Sequence, residues 1–148
     1  MRVAGKELAY GLLRVALGLN FLGHGGFRIL SGVGAFAVGM AEHMTKSPLP
    51  HGMVVGFGYA IPWIELLLGL GLILGVFTRT VLVGGALFMM ALTFGTTSNQ
   101  QWDVAGQQLV YSVVFFGLLY LVEFNRFSID WLRAPDGLRG GMARSSLQ

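Results

Sequence analysis

Four long apolar stretches, residues 8–30, 51–77, 80–95 and 104–124, alternate with shorter polar or glycine-broken connections. An α-helix rises about 1.5 Å per residue, so about 20 apolar residues cross a hydrocarbon core about 30 Å thick. The pattern predicts an all-α protein, a bundle of four transmembrane helices. The first connection, residues 31–50, is long and mildly apolar, with Gly32, Gly34 and Gly39 interrupting Val33, Phe36, Val38 and Met40. It predicts an interfacial or re-entrant segment between helices 1 and 2. Ser47-Pro48-Leu49-Pro50 ends it, because proline disfavours helix at the residue before it. The second connection, around Thr78-Arg79-Thr80, is short enough to make its two helices antiparallel neighbours. The third, residues 96–103, is polar and carries Trp102 at the depth where aromatic rings settle at a membrane interface. After the last stretch, Phe127-Ser128-Ile129-Asp130-Trp131-Leu132 is amphipathic and is expected on the cytoplasmic surface. Residues 1–132 read as one four-helix membrane domain, and the Gly-, Ser- and Arg-rich residues 133–148 as a disordered cytoplasmic tail.

Composition supports the membrane assignment. Of 148 residues, 54% are apolar and only 11% charged, with a mean hydropathy of +0.67; soluble domains carry about 25% charged residues. Seven of the ten basic residues fall on one side of a four-span chain: Arg2, Lys6, Arg79, Arg126, Arg133, Arg139 and Arg144. Cytoplasmic loops hold the Lys/Arg excess, so both termini are expected in the cytoplasm. Arg2 and Lys6 before an apolar run, with Ala35-Phe36-Ala37 downstream, imitate a signal peptide. The run is too long for one, contains Arg14 and ends well before that site, so it reads as a retained helix. The basic residues flank membrane segments and form no aromatic-interleaved patch, which argues against nucleic acid as a partner. There is no cysteine, which removes disulfide and thiolate chemistry and Cys-ligated metal centres together.

The chemistry lies inside the apolar stretches. Glu65 sits in the middle of the second, within Ile61-Pro62-Trp63-Ile64-Glu65-Leu66. A charge there costs about 3 kcal/mol on insertion scales, so an intramembrane acid marks a candidate site. On a helical wheel Arg14, Gly18, Phe21, Gly25 and Arg28 share one face of the first helix, with His24 at its edge. Glu65 shares a face with Gly58, Gly69 and Leu72, and Trp63 falls on the far side. Gln108, Tyr111, Ser112 and Phe115 form a stripe on the fourth helix with Gln107 beside it, and Met90, Thr93 and Thr97 share a face of the third. Together they predict a polar seam from Arg14 through Glu65 to His24 and the glutamines. Two structural roles compete for its charges. An Arg14–Glu65 pair would neutralise both and fix helix packing, or Arg14 can snorkel to the headgroups alone.

A metal or haem site is not expected. His24, His43 and His51 are the only histidines, no two at i, i+3 or i+4 spacing, and only His24 lies inside a span, whereas haem needs an axial ligand. A quinone fits the inventory better. It needs an apolar aromatic slot, groups that hydrogen bond its carbonyls and an acid or imidazole that exchanges protons. Proton conduction or a lipid headgroup would draw on the same residues.

Leu12-Leu13-Arg14 with Ala16-Leu17-Gly18, then Phe21, His24-Gly25 and Arg28, resembles the first helix of the DoxX family. Glu65 followed by Leu70-Gly71 and Leu74-Gly75-Val76-Phe77-Thr78-Arg79 resembles its second helix, and Ser128-Ile129-Asp130 the short motif after its last. The resemblance implies a four-helix membrane protein of the prokaryotic inner membrane. It matches at Arg14, His24, Arg28, Glu65 and Arg79, but Gln107 or Gln108 stands where members often carry a second acid. It implies an integral membrane subunit of a quinone-linked oxidoreductase system, of thiosulfate:quinone type. In that role Glu65 exchanges protons and Arg14, His24, Gln107, Gln108 and Tyr111 bind the ligand. The alternative is a non-enzymatic membrane scaffold that stabilises partner proteins. Expected partners are the lipid bilayer, a soluble or membrane redox subunit and a second copy of the chain; the expected cofactor is quinone, with no metal and no haem.

Overall fold

A computed structural model describes residues 5–133, and every regular element in them is helical. In chain order these are α1 (Gly5–Leu30), α2 (Val33–His43), α3 (His51–Leu74), α4 (Thr78–Ser98), α5 (Trp102–Tyr120), a 3₁₀ turn (Val122–Phe124) and α6 (Ile129–Arg133). Length and composition qualify α3 and α4 as membrane spans, and α1 with α2 as a third if that bent pair counts as one. Arg14, Asn20 and His24 dilute the apolarity of α1, and Asp103, Gln107 and Gln108 that of α5. Arg133, expected in the tail, instead closes α6, and residues 134–148 lie outside the described residues.

The first connection is helical despite its glycines. Gly32, at φ 99°, turns the chain between α1 and α2 through 102°. The new helix lays Ala37 and Ala41 against α3, both buried, with Ala37 facing Gly58. Packing on α3 therefore offsets the weak helix preference of this stretch.

The core forms where α1 runs antiparallel to α3 and α4 to α5. Gly18 faces Leu72 and Ile73, Gly69 faces the backbone of Leu22, and Gly25 faces Pro62 and Glu65. A Cβ at Gly18 or Gly69 would collide with the other helix, so these two glycines set a backbone-to-backbone approach. The space beside Gly58 and Gly69 is thus occupied by α2 and α1. Phe21, Phe88, Tyr111 and Phe115 close the centre through tilted and edge-on ring contacts, the favoured aromatic geometries. Trp63 faces outward as its wheel position predicts. The α4 face is corrected: Leu82, Gly85, Phe88 and Met89 point inward, whereas Met90 and Thr97 are exposed. Inward glycine at position 85 lets the Phe115 ring sit against the α4 backbone.

Each end of the bundle is stitched by a buried asparagine. At the end formed by the first and third connections, Asn99 accepts from the Lys46 amide at 3.0 Å and donates to the His43 carbonyl at 3.0 Å. At the other end, Asn125 donates to Thr78 Oγ1 at 2.9 Å. There the chain leaves α3 through Gly75 and Phe77, both left-handed, and α4 starts with no cap from its own neighbours. Asp130 of α6 supplies one: its carboxylate accepts from the Phe77 amide at 2.8 Å and the Thr78 amide at 2.7 Å. Burial alone would raise the Asp130 carboxyl, but Thr78, the Phe77 amide and nearby Arg133 hold it below its ordinary value. Glu7 pairs with Arg126 at 2.8 Å across the same end.

Candidate functional site

The register of α1 on α3 decides which charges meet. Gly25 lies against Glu65, so Arg28, three residues on, projects over the same level. Arg28 Nη1 donates to Glu65 Oε1 in a direct ion pair. Its guanidinium also stacks 4.5 Å above the Phe36 ring of α2, so the bent helix holds the arginine that holds the acid. The expected Arg14–Glu65 pair does not form. Arg14 lies about four turns before Arg28, about 21 Å along the axis, and is 1% exposed. Its Nη1 donates to the Leu72 and Ile73 carbonyls and its Nη2 to that of Phe127. Those carbonyls are the unpaired acceptors at the C-terminal end of α3 and the chain before α6, and a cation is stable at a helix C-terminus. Arg14 thus fastens the end of the bundle and neither snorkels nor neutralises Glu65.

Glu65 is 5% exposed. Arg28 satisfies one of its oxygens, and Oε2 has no partner. An ionised carboxylate accepts through both oxygens, so a bare one in a buried site is costly. Glu65 borders a cavity of about 180 Å³ between α1, α3, α4 and α5. Asn20, His24, Arg28, Gln107, Gln108 and Tyr111 bring polar groups to its wall, and Phe21, Met89, Leu92 and Val104 complete it. Five of the six residues singled out in the sequence therefore converge on one space: Glu65, His24, Gln107, Gln108 and Tyr111. Arg14 is elsewhere, and Arg28 takes the position beside the acid. Thr96 Oγ1 donates to Gln108 Oε1 at 2.8 Å, and the Tyr111 ring meets Phe21 edge-on at 6.2 Å, so α4 and α1 fix two of the α5 side chains.

Asn20 was not anticipated, although it lies four residues before His24, the spacing that places two side chains on one face of a helix. Among the described residues no group of three His, Asp or Glu side chains could hold a metal ion.

Residues 9–98 fit the model of the DoxX family. The chain belongs to the DoxX family. A search of curated proteins and one of solved structures found no match. The DoxX match spans α1 to α4, and with them Arg14, Asn20, His24, Arg28 and Glu65. The α5 wall of the cavity and the Asp130 cap lie beyond it. Membership and the apolar helices make this a multi-pass membrane protein.

Proposed function

We propose that this protein is a four-span subunit of a quinone-linked redox system in the inner membrane, and that the Glu65 cavity binds the quinone ring. The observation that carries this is Glu65, a buried acid with one unpartnered oxygen, bordering a cavity that also gathers imidazole, amide and phenol groups. A cavity of about 150 Å³ accommodates one benzene ring, so about 180 Å³ suits a single quinone ring. Bound there, a quinone supplies two-electron chemistry, taking two electrons from a partner subunit and two protons as it becomes a quinol. The protein's part is to hold the ring and handle the protons. Gln107, Gln108 and Tyr111 can donate to the ring oxygens from α5, and Asn20 and His24 from α1. Arg28 holds the Glu65 carboxylate beside the cavity, where it would exchange a proton with the ring. Arg14 has no part in the site; it secures the helix ends.

The scaffold reading draws on one fact, that Arg28 and Glu65 already neutralise each other. Turnover separates the two. Glu65→Gln keeps the size and hydrogen bonding of the side chain and loses the exchangeable proton. In proteoliposomes with the native partner, quinone reduction should fall by at least about a hundredfold, the usual contribution of a positioned acid or base, while the thermal melt shows a folded protein. Full turnover in a folded Glu65→Gln variant would leave the scaffold role.

A further inference from the structure

The polar cavity has room for a ring and little else, yet a larger space begins beside it. Between α2, α3 and α4 lies a cavity of about 270 Å³ whose wall is apolar apart from His43, Thr96 and Gln101. The two adjoin. Leu92 borders both, and Ile61 on the apolar wall lies one turn before Glu65 on the same buried face of α3. Thr96 on the apolar wall hydrogen bonds Gln108 on the polar wall. Leu92 is only partly buried, so its side chain stands at the boundary between the two spaces.

We propose that the apolar cavity is the tail subsite for the same ligand, taking the first isoprenyl units of a prenylated quinone whose ring lies against Glu65. This rests on the ring reading above. By proportion to a benzene ring in about 150 Å³, the cavity suits roughly eleven carbons, about two isoprenyl units. Met40, Met44 and Met53 line it, and flexible thioether side chains adapt to an irregular branched chain better than rigid ones do. The cavity follows the α3 face away from Glu65 through Ile61, Phe57 and Val54, the direction in which a tail attached to a ring at Glu65 must run to enter it.

The test uses the purified full-length protein and a substituted benzoquinone bearing no, one, two or three isoprenyl units. Gly95→Leu fills the tail cavity: a Cβ at Gly95 would meet only Met44 Cε, at 3.9 Å. Gly84→Leu is the control, since a Cβ there meets nothing within 4 Å and Gly84 borders neither cavity. In the parent protein, affinity should rise by at least about tenfold over the first two units, given the gain per buried methylene, and then level off. Gly95→Leu should abolish most of that gain and leave ring binding unchanged, while Gly84→Leu behaves as the parent. Comparing variants on one ligand cancels its partition into detergent. If Gly95→Leu fails to fold, Ala91→Leu blocks the same space. An equal gain in the parent and the filled variants would overturn the tail subsite while the ring reading stood. Failure of the tail-less ring to bind the parent would overturn both.

Discussion

Arg14 and Arg28 have the same side chain and share one face of α1, yet they do different work. Arg14 meets bare carbonyls at the end of α3, and Arg28 meets an acid. Position along the helix makes the difference, since a buried guanidinium is stable wherever acceptors converge on it. The pairing has a thermodynamic signature. Arg28→Met and Glu65→Gln should each destabilise the protein, and the double variant should cost less than their sum by about 1 kcal/mol or more, as expected for residues in contact. Arg14→Met and Glu65→Gln should add to within about 0.5 kcal/mol, because they share no partner. Chemical denaturation in detergent measures both cycles. Coupling at Arg14 and none at Arg28 would reverse the assignment.

Among the elements, α6 is short and its effect is out of proportion to its length. It carries Asp130 back to cap α4, whose own start offers no capping side chain. Asp130→Asn should cost about 1 kcal/mol near neutral pH, the usual worth of a helix cap. The native hydrogen bonds hold the Asp130 carboxyl below its unfolded value of about 3.9. Its contribution is therefore complete above that value and is lost as the pH falls below it toward the folded pKa. The stability gap between the parent and Asp130→Asn should stay constant from neutrality to about pH 5 and shrink progressively as the pH falls below the unfolded value. A gap that does not shrink at all in acid would mean that Asp130 does not act through its charge. The sequence contains this cap in Ser128-Ile129-Asp130, but its amphipathic pattern pointed only to a membrane surface. A contact that spans more than fifty residues leaves no local pattern. The seam was legible where it depended on one helix at a time: wheel positions placed Phe21, Glu65 and the α5 glutamines correctly. It was not legible in the Arg14–Glu65 pairing, because periodicity fixes a face and not how far one helix slides along another. Gly18, Gly25 and Gly69 set that slide through backbone contacts.

At the scale of the whole molecule, one end of the bundle is closed by Arg14, Asn125, Asp130 and the Glu7–Arg126 pair. The Glu65 cavity lies toward the other, beside exposed His24 and Gln107. If the Lys/Arg excess marks the cytoplasmic side, as expected from the sequence, this cavity opens on the opposite side of the membrane. The cysteine-free sequence suits a direct check by single cysteines and a membrane-impermeant maleimide. Lys46→Cys and Gln107→Cys should label in intact cells with an opened outer envelope, and Arg79→Cys only after the inner membrane is permeabilised. Labelling of Arg79→Cys but not Lys46→Cys from outside would invert the topology, and labelling of both from outside would contradict the four-span arrangement.

The central claim is that the Glu65 cavity holds a quinone, and lipid-extractable ligand in the purified protein tests it most directly. Gln107→Trp supplies the comparison: Gln107 is exposed, so an indole there should fill the cavity without disturbing the core. Mass spectrometry should find quinone enriched in the parent protein relative to the phospholipid that accompanies it, and that enrichment lost in Gln107→Trp purified in the same way. No enrichment in the parent, or equal quinone in both proteins, would contradict the account.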